Sequence, residues 1–438
     1  MDKIVSLCKR RGFIFPSSGI YGGLEAFWDY GPLGSLLKNN IKQEWFKTFV
    51  QSWEDIVLID GTVIMHPKTW EASGHLKNFI DPLVECKKCH SRFREDRLER
   101  KICPQCGGDD FTQAKQFNLM FKTYLGPVED EVHLAYLRPE TAQSMFVDFK
   151  LIQESLRLKL PFGIAQVGRS FRNEITTGNF TFRSREFDIA EIEYFVKPGE
   201  DEKAFKEWLD AWEKFFLDLG LKKENLRRYE HKKESLAHYS KRTVDIEYKF
   251  PFGWAELAGI ANRTDFDLSQ HAKFSGKDLN YFDEETKKNY FPYVIEPTLG
   301  IERLALALLV ESFSEVKGGR TTTTEATKEA EIVLRLNKKV APIKAAILPL
   351  VKNKPGLVKK AREVYQMLKP YFMVQYDEVG SIGRRYRRQD EIGTPFCITV
   401  DFETLKKDDV TLRDRDTMKQ NRIKIADLVK SLSEKLNV

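Results

Sequence analysis

Four of the six cysteines form two closely spaced pairs, and this spacing constrains the fold more than any other feature of the chain. The pairs, each with two intervening residues and with 13 residues between them, are Cys86 with Cys89 and Cys103 with Cys106. Each pair fits on a tight turn, and two such turns build a tetrahedral four-sulfur zinc site, with redox or chance pairing as the alternatives. The spacing therefore predicts a structural zinc ion in a zinc-ribbon insert at 84–116.

Length and composition bound the class of protein. The chain has 438 residues, of which 42% are hydrophobic and 31% are charged. These values predict a soluble globular protein of two or three domains. No apolar run approaches the roughly 18 residues that a membrane span needs, and residues 1–5 lack the pattern of a secretory signal. We therefore expect a cytoplasmic protein with no membrane partner.

Charge is distributed unevenly along the chain. From Arg335 to the end there are 23 Lys and Arg against 13 Asp and Glu, whereas the preceding part is slightly acidic. A basic segment on an acidic body indicates a polyanion as the partner of that segment. A solvated basic surface is the alternative.

A polar stretch at 318–324 marks the clearest domain boundary. It combines Gly318 and Gly319 with four consecutive threonines, which is typical of a linker. We therefore expect one domain at 1–330 and a second at 331–438. In the second, strands are predicted at 345–350, 372–376 and 395–400, and helices at 355–368 and 417–436. This alternation predicts a small α/β domain.

Helical periodicity marks two segments of the larger domain. Pro32 suits a first helical position and precedes apolar residues at helical spacing. Between 200 and 240, a polar region carries an apolar stripe that is typical of a core helix: Phe205, Trp208, Trp212, Phe215, Phe216 and Leu219. We therefore expect a helical insert at 197–243.

Two strand patterns, at 163–172 and 186–195, flank a loop rich in Gly, Asn and Thr and predict a β-hairpin. A period of two places Arg172, Phe187 and Glu191 on one surface. An arginine suits a phosphate or carboxylate, a phenylalanine stacks on a base, and a carboxylate suits an ammonium group. An exposed sheet face with scattered charge is the alternative, which composition alone favours.

These segments resemble the signature motifs of class II aminoacyl-tRNA synthetases. Residues 171–174 with 182–187 resemble motif 2, and 300–303 before an apolar helix resemble motif 3. The Pro32 segment is similar to motif 1, which builds the dimer interface in that class. The order and spacing of the three motifs make the resemblance to this class more specific than any one motif does.

Longer segments resemble the glycyl-tRNA synthetase family in its compact homodimeric form. They are DYGPLG at 29–34, LRPETAQ at 137–143, FPFGWAEL at 250–257, GIANRTD at 259–265 and VIEPTLG at 294–300. The resemblance spans nearly the whole chain and implies an α+β fold. That fold has an antiparallel sheet with flanking helices, the zinc-ribbon-like insert and a C-terminal α/β anticodon-binding domain. It also implies a homodimer that activates glycine with ATP and Mg²⁺ and loads it onto the 3′ end of tRNA(Gly).

The resemblance implies that Arg172 and Arg303 are catalytic. Arg172 would contact the α-phosphate and the glycine carboxylate, and Glu174 would contact the adenine amino group. Phe187 would stack on adenine, with Arg303 on its other face, and Arg185 would reach the outer phosphates. The implied ATP-binding residues are Arg172, Asn173, Glu174, Phe182, Arg183, Ser184, Arg185, Glu186, Phe187, Glu256, Leu257, Gly300, Ile301, Glu302 and Arg303.

The resemblance also implies a glycine pocket. Glu140, Glu191 and Glu296 would surround the ammonium group, while Glu256 would hold Mg²⁺ with ATP. Thr298 stands where many relatives are expected to carry serine. The implied glycine-binding residues are Arg94, Glu140, Phe187, Asp188, Ile189, Ala190, Glu191, Glu296, Pro297, Thr298, Leu299 and Gly300.

In the C-terminal domain, the run 384–388 reads Arg-Arg-Tyr-Arg-Arg. Mixed basic and aromatic side chains suit phosphate contact and base stacking, so we expect this run to contact the anticodon. A surface loop with no ligand is the alternative.

Two other functions compete with this interpretation. A class II synthetase for threonine, proline or histidine is disfavoured by the glycine-type segments. A non-catalytic nucleic-acid-binding relative, like the accessory subunits of mitochondrial DNA polymerase, needs none of four residues that this chain has: Arg172, Glu174, Glu256 and Arg303.

Overall fold

The structure, a computed structural model, describes residues 1–98, 101–317, 320 and 330–437. Apart from residue 320, the predicted linker at 318–324 lies outside these residues. The helices are α1 Asp2–Arg11, α2 Pro32–Trp45, α3 Pro67–Ala72, α4 His75–Asn78, α5 Ala142–Val147, α6 Phe149–Leu156, α7 Asp201–Asp218, α8 Phe266–Ser275, α9 Ile301–Ser312, α10 Pro355–Leu368, α11 Ile382–Glu391, α12 Thr404–Lys407 and α13 Leu428–Leu436. In the described part of the chain, no helix has the length and apolar character to cross a membrane.

The strands belong mainly to antiparallel sheets, which confirms the predicted α+β class. They are β1 Ile14–Pro16, β2 Trp28–Tyr30, β3 Ile56–Leu58, β4 Ile64–Met65, β5 Ile80–Glu85, β6 Arg92–Arg94, β7 Lys115–Asn118, β8 Lys122–Tyr124, β9 Leu134–Leu137, β10 Phe162–Phe171, β11 Glu186–Val196, β12 Leu226–Glu230, β13 Arg242–Phe250, β14 Gly253–Thr264, β15 Tyr281–Asp283, β16 Lys288–Tyr290, β17 Tyr293–Gly300, β18 Phe313–Val316, β19 Glu331–Leu334, β20 Ala345–Pro349, β21 Val374–Tyr376, β22 Phe396–Val400, β23 Asp409–Asp414 and β24 Gln420–Lys424.

A seven-stranded sheet with the order β12-β13-β14-β17-β11-β10-β3 forms the centre of the larger part. Its pairs are antiparallel except β3 with β10. In its register, Gln166 lies opposite Glu191, and Glu191 lies opposite Thr298. Thr298 lies opposite Gly259, which lies opposite Asp245. Because directly opposed residues share a face of a sheet, these five residues form a central row across one face.

The predicted hairpin is β10 and β11, and Arg172 follows β10 directly. Apolar side chains on the other face of the sheet pack against α2, α7 and α9 in the main core. Trp208 of α7 stacks on Trp53 with ring centroids 4.5 Å apart, and the predicted apolar stripe of α7 is buried. Each such side chain contributes about 1.5–3 kcal/mol when it is fully buried.

The segment predicted as a helical insert is only partly helical. Helix α7 ends before Gly220, whose φ of +100° suits glycine at a helix end. The chain then forms β12, the edge strand of the central sheet. Residues 197–243 therefore complete the main core and sheet, and the prediction of a helical region up to 240 is wrong.

Helix α2 begins at Pro32, as predicted from its periodicity. The start of this helix packs closely against the backbone just before β1. A Cβ built on Gly34 would lie 1.9 Å from the carbonyl oxygen of Phe13, and one on Gly31 would lie 2.6 Å from that of Gly12. The two glycines of the DYGPLG segment are therefore required by close backbone approach.

The C-terminal sheet has the order β21-β20-β22-β23-β24 and its own apolar core. The first three strands are parallel to one another, whereas β23 and β24 form an antiparallel hairpin. The predicted helix at 417–436 is wrong in its first half, because 420–424 is β24 and the helix begins at Leu428. Its buried residues Leu428, Leu432 and Leu436 have helical spacing only from that point.

Residues 331–343, at the start of the predicted second domain, pack with the larger part. Leu334, Leu336 and Val340 belong to the main core, and β19 pairs with β18. This segment therefore connects the two parts of the chain.

Candidate active site

Two adjoining chambers open on the face of the sheet that carries the central row. The aromatic chamber lies beside the loop between β10 and β11 and the start of α9. The acidic chamber lies over β14 and β17. Arg172, Glu256 and Thr298 line both chambers. A molecule that spans the two would therefore pass these three side chains.

The aromatic chamber holds two arginines against aromatic rings. The guanidinium carbon of Arg172 lies 5.5 Å from the ring centroid of Phe187, and that of Arg303 lies 4.8 Å from the ring centroid of Phe182. These groups suit a planar base and a phosphate chain. The predicted ATP-binding residues that line this chamber are Arg172, Glu174, Phe182, Arg183, Ser184, Phe187, Glu256, Gly300, Glu302 and Arg303.

Two carboxyl groups of the aromatic chamber have opposite pKa shifts. Arg303, whose Nη1 lies 2.9 Å from Oε2 of Glu256, lowers the pKa of that carboxyl, whose side chain is 45% exposed. Burial raises the pKa of Glu174, and Arg172 opposes the rise. The lowered pKa keeps Glu256 ionised at neutral pH, which suits it to a metal cation.

The acidic chamber brings together the three predicted ammonium-binding carboxylates, Glu140, Glu191 and Glu296, with Thr298. Glu191 and Thr298 are opposed in the central row, and Glu296 lies two residues before Thr298 on β17. Glu140 follows β9 and approaches from outside the sheet. The chamber therefore concentrates negative charge from three separate segments.

Surrounding groups fix each carboxylate. The backbone nitrogen of Thr141 donates to Oε2 of Glu191 at 2.6 Å, and its hydroxyl donates to the same oxygen. Nε2 of His75 lies 3.2 Å from Oε2 of Glu140. Nη1 of Arg263 donates to Glu296 at 2.8 Å. These contacts hold the carboxylates close together despite their repulsion.

Burial raises the pKa values of two carboxyl groups in the acidic chamber. It raises the pKa of Glu296 to about 8, against the effect of Arg263 and with a contribution from Glu191. Burial also raises the pKa of Glu191, with Glu140 adding to the rise. A bound ammonium group favours the ionised carboxylates and therefore lowers these pKa values.

Several predicted residues have side chains that point away from both chambers. Asp188 lies on the opposite face of β11, where Nζ of Lys38 is 3.0 Å from its carboxylate and Lys42 also pairs with it. Alternation along a strand explains this, because Asp188 lies between Phe187 and Ile189, which line the aromatic chamber. The same correction applies to Glu186, Ala190, Leu257, Pro297, Leu299 and Ile301, which line neither chamber.

Three further predicted residues lie outside the chambers. Asn173 and Arg185 line a groove between the cysteine-bearing insert and the hairpin loop. Arg185 donates to the backbone oxygens of Glu174 and Glu25, each at 3.0 Å, so it braces the loop. Arg94 pairs with Asp81 at 2.9 Å and with Asp96 at 2.7 Å. Both guanidinium groups are therefore already bonded to nearby carboxylates or backbone carbonyl oxygens.

Arg263 organises the acidic chamber, although no role for it was predicted from the sequence. It is 1% exposed and binds both oxygens of Asp267 as well as Glu296. Its guanidinium lies 3.7 Å from the ring centroid of Tyr239, which also lines the chamber. An arginine in the GIANRTD segment next to a strand end was the available clue, but its partners come from distant segments.

The four paired cysteines converge. The Sγ atoms of Cys86 and Cys106 are 3.6 Å apart, those of Cys89 and Cys103 are 3.5 Å apart, and all four lie within 4.8 Å of one another. Bonds of about 2.3 Å to a tetrahedral metal ion place sulfurs about 3.8 Å apart. The cysteines are not in disulfides. The cluster can therefore hold a metal ion.

The basic run at 384–388 lies on α11 and not in a loop. Arg385 is buried and donates to the carbonyl oxygen of Leu350 at 3.0 Å. The hydroxyl of Tyr386 lies 2.6 Å from that of Thr399. The prediction that this run as a whole contacts the anticodon is therefore wrong, because Arg385 and Tyr386 anchor the helix to its sheet.

Comparison with known proteins agrees with this architecture. Residues 121–313 match the family "tRNA synthetase class II core domain (G, H, P, S and T)", and residues 344–435 match the family "Anticodon binding domain". The fold and the chambers thus define a class II aminoacyl-tRNA synthetase.

Full-length relatives identify the family within this class. The chain is 52% identical to the glycine–tRNA ligases of Thermobifida fusca and Geobacillus thermodenitrificans, over 100% of its length and 98% and 97% of theirs. It is 53% identical to that of Clostridium tetani, over 100% of this chain and 98% of the relative. The chain belongs to the glycine–tRNA ligase family.

Proposed function

We propose that the protein activates glycine with ATP to glycyl-adenylate and transfers the glycyl group to the 3′ end of tRNA(Gly). The observation that carries this proposal is the junction of the two chambers at Arg172. ATP occupies the aromatic chamber, with adenine against Phe187 and the phosphates near Arg303. Glycine occupies the acidic chamber. The acyl–phosphate bond then forms beside Arg172.

Activation needs no covalent protein nucleophile. The glycine carboxylate attacks the α-phosphorus in line, and pyrophosphate leaves. Negative charge develops at the transferred group, where Arg172 and Arg303 stabilise it because they are fixed before the reaction begins. Glu256 is the residue proposed to hold Mg²⁺ with ATP, and the ion would supply neutralisation of the phosphate charge there.

Selection of glycine combines charge with exclusion. Glu140, Glu191 and Glu296 attract the ammonium group, which supplies affinity without a side chain. Tyr239 and Thr298 form the side of the pocket that excludes an amino acid with a β-carbon, and the ring of Tyr239 packs on Arg263. Extra atoms forced into this side of the pocket cost about 1–3 kcal/mol.

The remaining parts have proposed roles as well. The cysteine cluster holds a structural Zn²⁺ ion, since four thiolates close a tetrahedral site. The C-terminal part contacts the anticodon of the tRNA, which its net positive charge supports. We place the domain division between 330 and 344, with 1–330 as the catalytic domain and 331–343 as the connection to it.

A homodimer with the α2 region at its interface is part of this proposal, as is action in the cytoplasm. Exposed apolar side chains on the segment before α2 support the interface. Ile20 is 90%, Tyr21 85% and Leu24 59% exposed. Sedimentation equilibrium tests the assembly, and a monomer at micromolar concentration would contradict it.

The test of the activity is ATP–pyrophosphate exchange with purified protein, Mg²⁺ and each of the twenty amino acids in turn. Exchange with glycine alone is the expected result. Exchange with another amino acid would overturn the substrate and keep the class. Folded protein that supports no exchange would favour a non-catalytic nucleic-acid-binding protein.

A further inference from the structure

A histidine–aspartate pair lines the acidic chamber and has no part in the activation step. Nε2 of His231 lies 2.8 Å from Oδ2 of Asp245, and both residues line the chamber. His231 directly follows β12, and its backbone nitrogen donates to the carbonyl oxygen of Thr243 at 3.0 Å. Its side chain is 26% exposed, so it is accessible to a substrate.

The central row places this pair across the sheet from the glycine pocket, and Arg172, beside which the acyl–phosphate bond forms, lines the same chamber. Asp245, Gly259, Thr298 and Glu191 are opposed in turn on four neighbouring strands. Strands lie about 4.8 Å apart, so Asp245 is about 10 Å from Thr298 along the row. Gly259, between them, has no side chain, and even a Cβ there would lie 3.5 Å from Oδ1 of Asp245. No side chain of Gly259 therefore stands between the pair and the glycine pocket.

The hydrogen bond fixes which nitrogen of His231 can accept a proton. An ionised carboxylate only accepts hydrogen bonds, so Nε2 carries the hydrogen and Nδ1 keeps its lone pair. Burial and the charge of Glu256 raise the pKa of Asp245 to about 6, which leaves it ionised at neutral pH. The pair thus has the arrangement of a base held by an orienting carboxylate.

The transfer step releases the proton of the attacking hydroxyl, which a base within reach can accept. The carboxylates of Glu140, Glu191 and Glu296 face the ammonium group, and Glu256 pairs with Arg303. Among the described residues that line either chamber, His231 is the one histidine. It is therefore the imidazole base that the acidic chamber offers beside these carboxylates.

We propose that His231, oriented by Asp245, accepts the proton of the terminal ribose hydroxyl of tRNA as that hydroxyl attacks glycyl-adenylate. The hydroxyl oxygen bonds to the glycyl carbonyl carbon. The bond between that carbon and the phosphate oxygen breaks, and AMP leaves with the electron pair. The proton moves to His231, and Asp245 stabilises the imidazolium that forms. This assignment depends on the proposed ligase function.

Single-turnover transfer tests the assignment. Glycyl-adenylate is formed on the full-length enzyme and mixed with end-labelled tRNA(Gly), while exchange is measured separately. General base catalysis contributes about 10²- to 10⁴-fold, so His231→Ala slows transfer by about that factor and slows exchange at least about tenfold less. Imidazole added to His231→Ala restores part of the transfer rate. Asp245→Asn slows transfer and gains nothing from imidazole.

His133→Ala is the matched control, because His133 pairs with Asp130 at 2.6 Å on the exposed surface outside both chambers. It should transfer at the wild-type rate with or without imidazole. Equal losses of transfer and exchange in His231→Ala, or a selective loss that imidazole does not restore, would overturn the assignment. Wild-type enzyme that forms no glycyl-tRNA would instead refute the ligase function.

Discussion

Glutamine in place of Glu191 removes one negative charge from the acidic chamber while it keeps the length of the side chain. Glu191 is 2% exposed, and Thr141 donates to one of its oxygens through both backbone and hydroxyl. The amide oxygen of glutamine can still accept these bonds, so the fold is retained. The lost contribution is the attraction between the carboxylate and the ammonium group of glycine.

The size of the effect follows from the burial of the chamber. A hydrogen bond between charged groups contributes about 1.5–3 kcal/mol, and about 1.4 kcal/mol corresponds to a tenfold change in affinity. We therefore expect the KM for glycine to rise about 10- to 100-fold in Glu191→Gln. The KM for ATP changes less than about threefold, because adenine and the phosphates lie in the aromatic chamber.

The assay is ATP–pyrophosphate exchange with each substrate varied in turn. Glu193→Gln is the matched control on the same strand. Glu193 is fully buried, neither of its oxygens has a partner among the described residues, and burial raises its pKa well above the usual value. Because burial disfavours the charge of Glu193 and no partner in the described part of the chain holds it, the uncharged glutamine changes little. Equal increases of both KM values in Glu191→Gln would refute the reasoning.

The same geometry predicts three further results. Because the pKa of Glu296 is about 8 and only its ionised form attracts an ammonium group, the KM for glycine falls as the pH rises from about 7 to about 9, as exchange assays at saturating ATP will show. Treatment with a chelator to remove the proposed Zn²⁺, or Cys103→Ser, raises hydrogen exchange at 84–116 in the full-length protein and leaves β11 protected. Gly34→Ala lowers the free energy of unfolding by about 1–3 kcal/mol in denaturant titrations. Gly19→Ala, whose added carbon meets nothing within 4 Å, leaves that free energy nearly unchanged.

Sequence reasoning succeeded where the physics is local. Two-residue spacing within the cysteine pairs places thiolates on tight turns, and the period of two along β10 and β11 gives the hairpin its faces. Helical spacing from Pro32 likewise predicts α2. In each case, neighbouring residues alone determine the geometry, so the pattern carries the information.

The incorrect predictions of ligand-binding residues have a different cause. Whole motifs were assigned to ligands, although alternation along a strand sends Asp188 and Leu299 to the opposite face from Glu191 and Thr298. Period counting applied to these motifs would have separated them.

Other features depend on contacts between distant segments. The role of Arg263 arises from Glu296 and Asp267 together, and the pairing of His231 with Asp245 arises from the sheet register. Composition alone at 384–388 could not reveal that Arg385 is buried beneath its own helix. Such contacts become visible only in the folded chain.

The most direct test of the central claim is a crystal structure of the protein with a stable analogue of glycyl-adenylate. We expect the adenine ring against Phe187 in the aromatic chamber and the ammonium group within hydrogen-bond distance of Glu191 and Glu296. The acyl–phosphate linkage should lie beside Arg172. An analogue bound with its ammonium group outside the acidic chamber would contradict the account.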